Sequence, residues 1–317
     1  MTAYVFRRLG LLLVSLLVAA VVIFVLLRML PGDPANALVA VGATKEQIAA
    51  ARHAVGSDQP LPAQFVTWIG QLARLDLGTS FVSGLPVGPQ LVQRLVVTVP
   101  LTLLGFVLAV LIAAPVGFVA ARFSRSAVGI VFSAASQLGV AVPVFWVGIL
   151  LVWGFALHWH LLPAGGFPQE DWSAPGQALR SLTLPVITIA IVMSSSVARY
   201  VRAGCIEILG SDFIRTFRAL GSSFGSAMLR HGMKSVAVPV ISVLGIELAT
   251  TFLGAVVIEN VFALPGLGSL LVTGIAQHDY PTIQGVLLLT TLIVLIVGFL
   301  ADLTQRLIDP RLRGAHR

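Results

Sequence analysis

Glu247 is the side chain best placed to do chemistry in this sequence. It interrupts the apolar run Leu244-Gly245-Ile246-Glu247-Leu248, and Thr250 and Thr251 follow one turn on. A carboxylate at that depth must face protein or a water-filled cavity, because lipid cannot solvate it. Glu247, Thr250 and Thr251 are therefore candidate lining for a polar path, with a structural hydrogen bond to a neighbouring helix as the plain alternative. Ser194, Ser195 and Ser196 add a second polar stretch, read as small residues that let helices pack closely. Elsewhere the stretch Asp212-Phe213-Ile214-Arg215-Thr216-Phe217-Arg218-Ala219-Leu220-Gly221 is polar and basic between two apolar segments. Asp212 can cap a short helix there. Phe213, Phe217 and Leu220 recur as one apolar stripe, and Arg215 and Arg218 share another face. Gly221 supplies the stop, and Ser222 can begin a second helix. Such a helix suits docking on another protein; an ordinary loop on the lipid surface is the alternative.

Little else resembles a catalytic centre. The only lysines, Lys45 and Lys234, follow Thr44 and Met233, so no phosphate-cradling Gly-Lys loop exists, and there is no His-Glu-x-x-His. His158 and His160 sit two apart and point to different helix faces, with no Cys, Asp or Glu at ligand spacing. Beside Trp159 they read as interfacial residues. Cys205 is the single cysteine, which excludes an internal disulfide. A secondary transporter would carry several buried ionisable groups and internal repeats. The chain reads instead as a non-catalytic pore, without a cofactor of its own, that needs energy from outside.

The elements that must position these residues are membrane spans. Of 317 residues, 57% are apolar and 10% charged, against roughly a quarter charged in soluble proteins. Apolar stretches of span length cover residues 9–30, 97–121, 128–157, 182–201, 236–258 and 283–303. The first follows Arg7-Arg8 but is too long for a signal peptide and lacks a small-residue cleavage site, so it reads as a retained span. The third is over-long and contains Pro143, which predicts a kink there or a tilted helix with an irregular end. With the N-terminus inside, Arg28, Lys45, Arg52, Arg74, Arg94 and Arg180 fall outside and the rest of the 20 basic residues fall inside. That asymmetry places both termini in the cytoplasm. The net charge of +7 thus reflects topology rather than nucleic acid.

Residues 31–96 form an outside insert, expected to be an ordered cap. Thr44 and Gln47 make a capping box for a helix ending near Gly56. Gln59-Pro60-Leu61-Pro62 reads as an extended connector, and Phe65, Trp68, Ile69 and Leu72 share an apolar helix face. Further on, Leu161-Leu162-Pro163-Ala164-Gly165-Gly166 is a turn-rich loop. Glu259, Asn260, Pro265, Gly266 and Gly268 belong to a broken segment apolar enough to dip back into the outer leaflet, if protein covers its backbone.

Arg218-Ala219-Leu220-Gly221, followed by Val238-Pro239, resembles the EAA loop of ABC importer membrane subunits. Arg218 stands where that pattern has glutamate and Val238 where leucine is usual, a variant typical of the peptide and nickel branch. Leu30-Pro31-Gly32-Asp33-Pro34, Asp58-Gln59-Pro60-Leu61, Asp76-Leu77-Gly78-Thr79-Ser80, Glu259-Asn260-Val261-Phe262, Leu264-Pro265-Gly266-Leu267-Gly268, Asp279-Tyr280-Pro281 and Asp309-Pro310-Arg311 resemble that branch's B-type permease. The match covers almost the whole chain in preserved order.

The resemblance implies an all-α polytopic protein of six transmembrane helices with the type I ABC importer permease fold. An N-terminal helix and outside insert (1–95) would precede the permease core (96–305), which holds a cytoplasmic coupling loop (202–235), and a basic tail (306–317) would close the chain. It implies a bacterial inner-membrane subunit that carries peptides in an ATP-driven importer. Its partners would be a second related permease, two ATPase subunits that bind ATP and Mg, and an extracytoplasmic binding protein. Nickel chelates, glutathione or haem-like ligands are alternative cargoes, and a proton-coupled carrier is a more distant alternative. By the same analogy Phe213, Arg215, Phe217, Arg218, Ala219, Leu220 and Gly221 would dock on an ATPase, and Glu259, Asn260, Pro265, Gly266 and Gly268 would form a gate or a landing surface for the binding protein.

Overall fold

A computed structural model describes residues 2–29, 33, 35, 38, 39 and 43–308, and among these the side chains of residues 2, 3, 213, 229, 231 and 234 are left aside. Most of Leu30-Pro31-Gly32-Asp33-Pro34 and all of Asp309-Pro310-Arg311 lie outside the described residues. The described chain is helical: α1 (Thr2–Met29), α2 (Lys45–Val55), α3 (Leu61–Ala73), α4 (Val87–Arg122), α5 (Ala127–Ala141), α6 (Val144–Leu151), α7 (Pro175–Leu209), α8 (Asp212–Ala219), α9 (Phe224–Ala227), α10 (Met233–Val261), α11 (Leu267–Gln277) and α12 (Tyr280–Ile308). Among the described residues, five helices (α1, α4, α7, α10 and α12) are each long and apolar enough to cross a membrane, and α5 with the segment after it brings the number to six where that bent pair counts as one span.

The central pair is α4 and α7. Ala109, Ala113, Ala190, Val197, Ala198 and Val201 bury a seam of small side chains between them and their neighbours, which lets backbones approach closely. Gly117 marks the tightest point: a Cβ there would lie 2.7 Å from the Ala198 carbonyl oxygen and 2.7 Å from Val201 Cβ. α10 packs on α7 and α12, and α1 joins the bundle through α12, helped by an Arg8–Asp302 ion pair of 2.6 Å.

Helices α4 and α7 run well past the apolar stretches read from the sequence, reaching back to Val87 and Pro175 and forward to Arg122 and Leu209. Hydropathy marks where lipid ends, not where the hydrogen-bond ladder ends. The expected kink at Pro143 is a break: the two halves meet at 99°. Val142 is extended there (φ −82°, ψ 126°), the conformation that a following proline favours. Beyond α6 the chain winds as a π-helix over Val152–His158.

The described part of the insert between α1 and α4 folds into helices, of which α3 packs on α1 and α12. Thr44 and Gln47 form the expected capping box, and Gly56 ends α2 in the left-handed region. The connector is shorter than expected, because Pro60 sits at the N-cap of α3 and helix begins at Leu61; Pro62 falls in the first turn, where a missing N–H costs nothing. Trp68 is buried and stacks on Phe24 of α1 at 5.8 Å, with Phe65 edge-on to Phe24 at 5.2 Å. Arg28 lies over Phe24 and Tyr280, 5.3 and 5.6 Å from the ring centroids, and so bridges α1 to α12. Asp33 pins α2 by accepting from Arg52 Nε at 2.6 Å and Ser57 Oγ at 3.1 Å.

Two outcomes follow for stability. Gly117→Ala overpacks the α4–α7 seam, for about 1–3 kcal/mol, and lowers the melting temperature of the detergent-purified subunit; Gly10→Ala, where a Cβ meets nothing within 4 Å, leaves it unchanged. Partial burial opposes ionisation of Asp33, but the Ala35 N–H and the Arg52 and Ser57 side chains outweigh it and hold the carboxyl below its usual range. A depressed folded pKa means the stabilisation is present above the unfolded value, about 3.9, and is lost as pH falls through the lower folded one. Limited proteolysis between α1 and α3 should therefore accelerate below that pH, and Asp33→Asn should show the fast rate at neutral pH.

Candidate functional site

Three places gather the residues singled out above. The first is the turn after α10. Glu259 is fully buried, and its carboxylate accepts from Thr98 Oγ1 of α4 at 2.6 Å, from the Gly268 N–H at 2.7 Å and from the Ser269 N–H at 3.2 Å. The last two belong to the first turn of α11, so the acid satisfies free N–H groups where the helix dipole is positive. Thr98 Oγ1 in turn accepts the Leu267 N–H at 2.9 Å. Gly266 has to be glycine, because any Cβ would overlap the Glu259 carboxylate. Asn260 is exposed and Pro265 half-buried, whereas Gly266 and Gly268 are buried.

A neighbouring acid repeats this logic. Asp279 is buried and accepts from Ser80 Oγ at 2.5 Å, the Phe81 N–H at 2.9 Å and Thr282 Oγ1 at 2.7 Å. It ties the insert to the start of α12. The turn-rich loop also reaches this region, where the Gly166 N–H donates to the Phe262 carbonyl at 2.8 Å.

The second place is a cavity of about 190 Å³ enclosed by the α5–α6 break, α7 and α10, lined by Glu247, Thr250, Thr251 and Ser196 together with Val140, Val144 and Met193. Ser196 is more than a packing residue: its hydroxyl donates to Glu247 Oε1 at 2.6 Å. Thr250 and Thr251 donate to the Glu247 carbonyl at 3.0 and 2.7 Å. His158 and His160 take no part in a metal cluster; no group of three or more potential His, Cys, Asp or Glu ligands occurs among the described residues.

The third place is α8. Ser211, not Asp212, occupies its N-cap position, without a side-chain cap bond; Asp212 is the first helical residue and pairs with Arg215 at 3.1 Å. The apolar stripe differs from the expected one. Ile214 is buried at 2% exposure against the Met228, Val236 and Cys205 cluster, with Phe217 packed beside it, while Leu220 is 76% exposed. The side chain of Phe213 lies outside the described residues. Gly221 adopts φ +89°; its N–H donates to the Arg218 carbonyl and the Ser222 N–H to the Phe217 carbonyl, the paired bonds of a glycine-terminated helix. Ser223, one residue later than expected, caps α9 by accepting the Ser226 N–H. Gly221-Ser222-Ser223-Phe224-Gly225 has the spacing of a hydrolase nucleophile elbow, but that motif needs a strand before its turn, and here a helix precedes it. Arg215, Arg218, Ala219, Leu220 and Gly221 all face outward.

Residues 113–314 match the family described as binding-protein-dependent transport system inner membrane component, and residues 1–102 match its N-terminal companion. The chain belongs to this family. It is 36% identical over 313 residues to a probable peptide ABC transporter permease protein of Sinorhizobium fredii, covering 99% of this chain and 100% of the relative. It is 33% identical over 313 residues to the glutathione transport system permease protein GsiC of Salmonella typhi, covering 99% of each. Among solved structures, the inward-facing MetNI methionine ABC transporter superposes with a TM-score of 0.56 at 17% identity, over 69% of this chain and 96% of that one. The permease therefore has the type I ABC importer permease fold, with α1 and the insert as an N-terminal addition.

Sequence reasoning missed Thr98, Ser80, Ile214 and the tie from Ser196. Thr98 and Ser80 are single hydroxyls whose acid partners lie 161 and 199 residues away; the available signal was an acid with no lysine or arginine near it in the sequence. Removing the Glu259 acceptor should leave Thr98 and two helix N–H groups buried without partners, at about 1–3 kcal/mol each. Glu259→Ala should lower the permease's melting temperature far more than Thr98→Val does, as measured in detergent by tryptophan fluorescence.

Proposed function

We propose that this permease is one membrane half of an ATP-driven importer for peptides, working in a bacterial inner membrane with both termini cytoplasmic. A second related permease completes the path, two ATPase subunits bind ATP and Mg beneath it, and an external binding protein delivers cargo. The chain itself is not an enzyme and carries no cofactor. Residues 1–95 form the N-terminal unit, 96–305 the transporting core with its coupling loop 202–235, and 306–317 the tail. The peptide reading rests on relatives described as peptide and glutathione permeases; glutathione is itself a small peptide.

The observation that carries the coupling role is the construction of α8. Its inner face is rooted by Ile214 in the α7–α10 core, while its outer face offers two arginines, small Ala219 and exposed Leu220. A push on that face moves the spans rather than a slack loop. ATP binding favours one state of the spans only through contacts that differ between states, and α8 is where this permease makes them. Glu247, Thr250 and Thr251 line the translocation path. The segment around Glu259, Asn260, Pro265, Gly266 and Gly268 serves as a gate or as part of the binding-protein landing surface, with Glu259 holding it in shape from inside.

Reconstitution with ATPases and binding protein tests this. Gly221→Val, which cannot adopt the left-handed turn, should abolish ATP-dependent peptide uptake while membrane insertion stays normal; Gly221→Asn should retain most uptake, since asparagine tolerates that conformation. Ala219→Cys should crosslink to an ATPase cysteine series in membranes. Full uptake by the valine variant, or no crosslink from Ala219 or its neighbours, overturns the coupling role.

A further inference from the structure

Every polar group in the Glu247 cavity has its hydrogen-bond direction fixed. Ser196 spends its proton on Glu247 Oε1 at 2.6 Å. Thr250 and Thr251 spend theirs on the Glu247 backbone carbonyl at 3.0 and 2.7 Å. What these hydroxyls present to the cavity is lone pairs. The carboxylate adds more, and no Lys, Arg or His lines the space. Across the break, Pro143 has no N–H, and the Val142 N–H is taken by the Leu138 carbonyl at 3.2 Å. The side-chain lining is thus made of acceptors around one acid, within walls of Val140, Val144 and Met193.

A carboxylate so placed is costly to leave without a cationic or multiple-donor partner. The complementary ligand is a compact cation with several donors and no acceptor, which describes a primary ammonium. A divalent metal fits poorly, because the cavity lining holds no second acid, His or Cys beside Glu247, and no group of three or more such ligands occurs among the described residues. The cavity of about 190 Å³, open on one side, has room for an ammonium and the first carbons attached to it.

We propose that Glu247 is a specificity-determining residue that receives the amino-terminal ammonium of a peptide as it crosses this permease, with Ser196 orienting the carboxylate. This rests on the peptide-importer reading above. The ion pair forms only in passing, so it selects cargo during translocation, separately from selection by the delivery protein.

The test uses the complete transporter in liposomes with saturating binding protein. The cargoes are a peptide with a free amino terminus and its N-acetylated form, chosen as a pair that the isolated binding protein retains with measured affinities. Wild type should move the free-amine peptide faster at saturation. Glu247→Gln should slow that peptide about tenfold, as expected for loss of a charged hydrogen bond, and leave the acetylated one unchanged; Glu247→Asp should restore part of the difference. Ser196→Ala should weaken the preference less than Glu247→Gln does. Equal slowing of both peptides by Glu247→Gln, or no slowing of either, overturns the proposal and leaves the importer reading standing. Absence of ATP-driven uptake of either peptide by wild type sinks the importer reading itself, and this proposal with it.

Discussion

The end of the molecule that carries the insert depends on a carboxylate, Glu259, buried at the end of α10 and held without any basic residue in its hydrogen-bond shell. Its carboxyl oxygens are met by two backbone N–H groups at a helix start and by one hydroxyl. Those donors come from α4 and α11, so one side chain fixes where three helices meet. Backbone donors of this kind are strong partners for an acid because they are already oriented and need no long side chain to be immobilised. Asp279 repeats the device a short distance on and fastens the insert to the start of α12. The insert and the turn after α10 are therefore tied to the spans by two acids.

The opposite end, around α8, is built differently. There the joints are apolar and close: glycine against Ala198 and Val201 in the α4–α7 seam, and Ile214 sunk among Met228, Val236 and Cys205. Close-packed interiors transmit displacement instead of absorbing it. A stiff seam, with the insert tied down at the other end, suits a part that must turn as a body when worked from one end.

What could be read from the sequence was whatever local chemistry decides. The Thr44–Gln47 capping box, the stops at Gly56 and Gly221 and the interruption at Pro143 depend on neighbours within a few residues, and the spans depend on composition. What escaped was decided by distant neighbours. The register of α8 is one case: Ile214 turns inward among Cys205 of α7, Met228 and Val236 of α10, which the helix's own periodicity does not reveal. Glu259 is another, since nothing near it in the chain names Thr98. The continuation of α4 and α7 beyond the lipid escaped because polar residues carry a helix ladder as well as apolar ones do.

The break at Pro143 has a consequence for the surrounding bilayer. α5 has 15 residues and so rises about 22 Å, short of the roughly 30 Å of hydrocarbon in a typical membrane. The segment that follows turns through 99° and adds little depth along the same axis. A helix of that length leaves part of the hydrocarbon depth to be covered by whatever packs beside it. The break thus leaves two short pieces set at an angle where an unbroken helix would run straight through, and neither reaches across on its own.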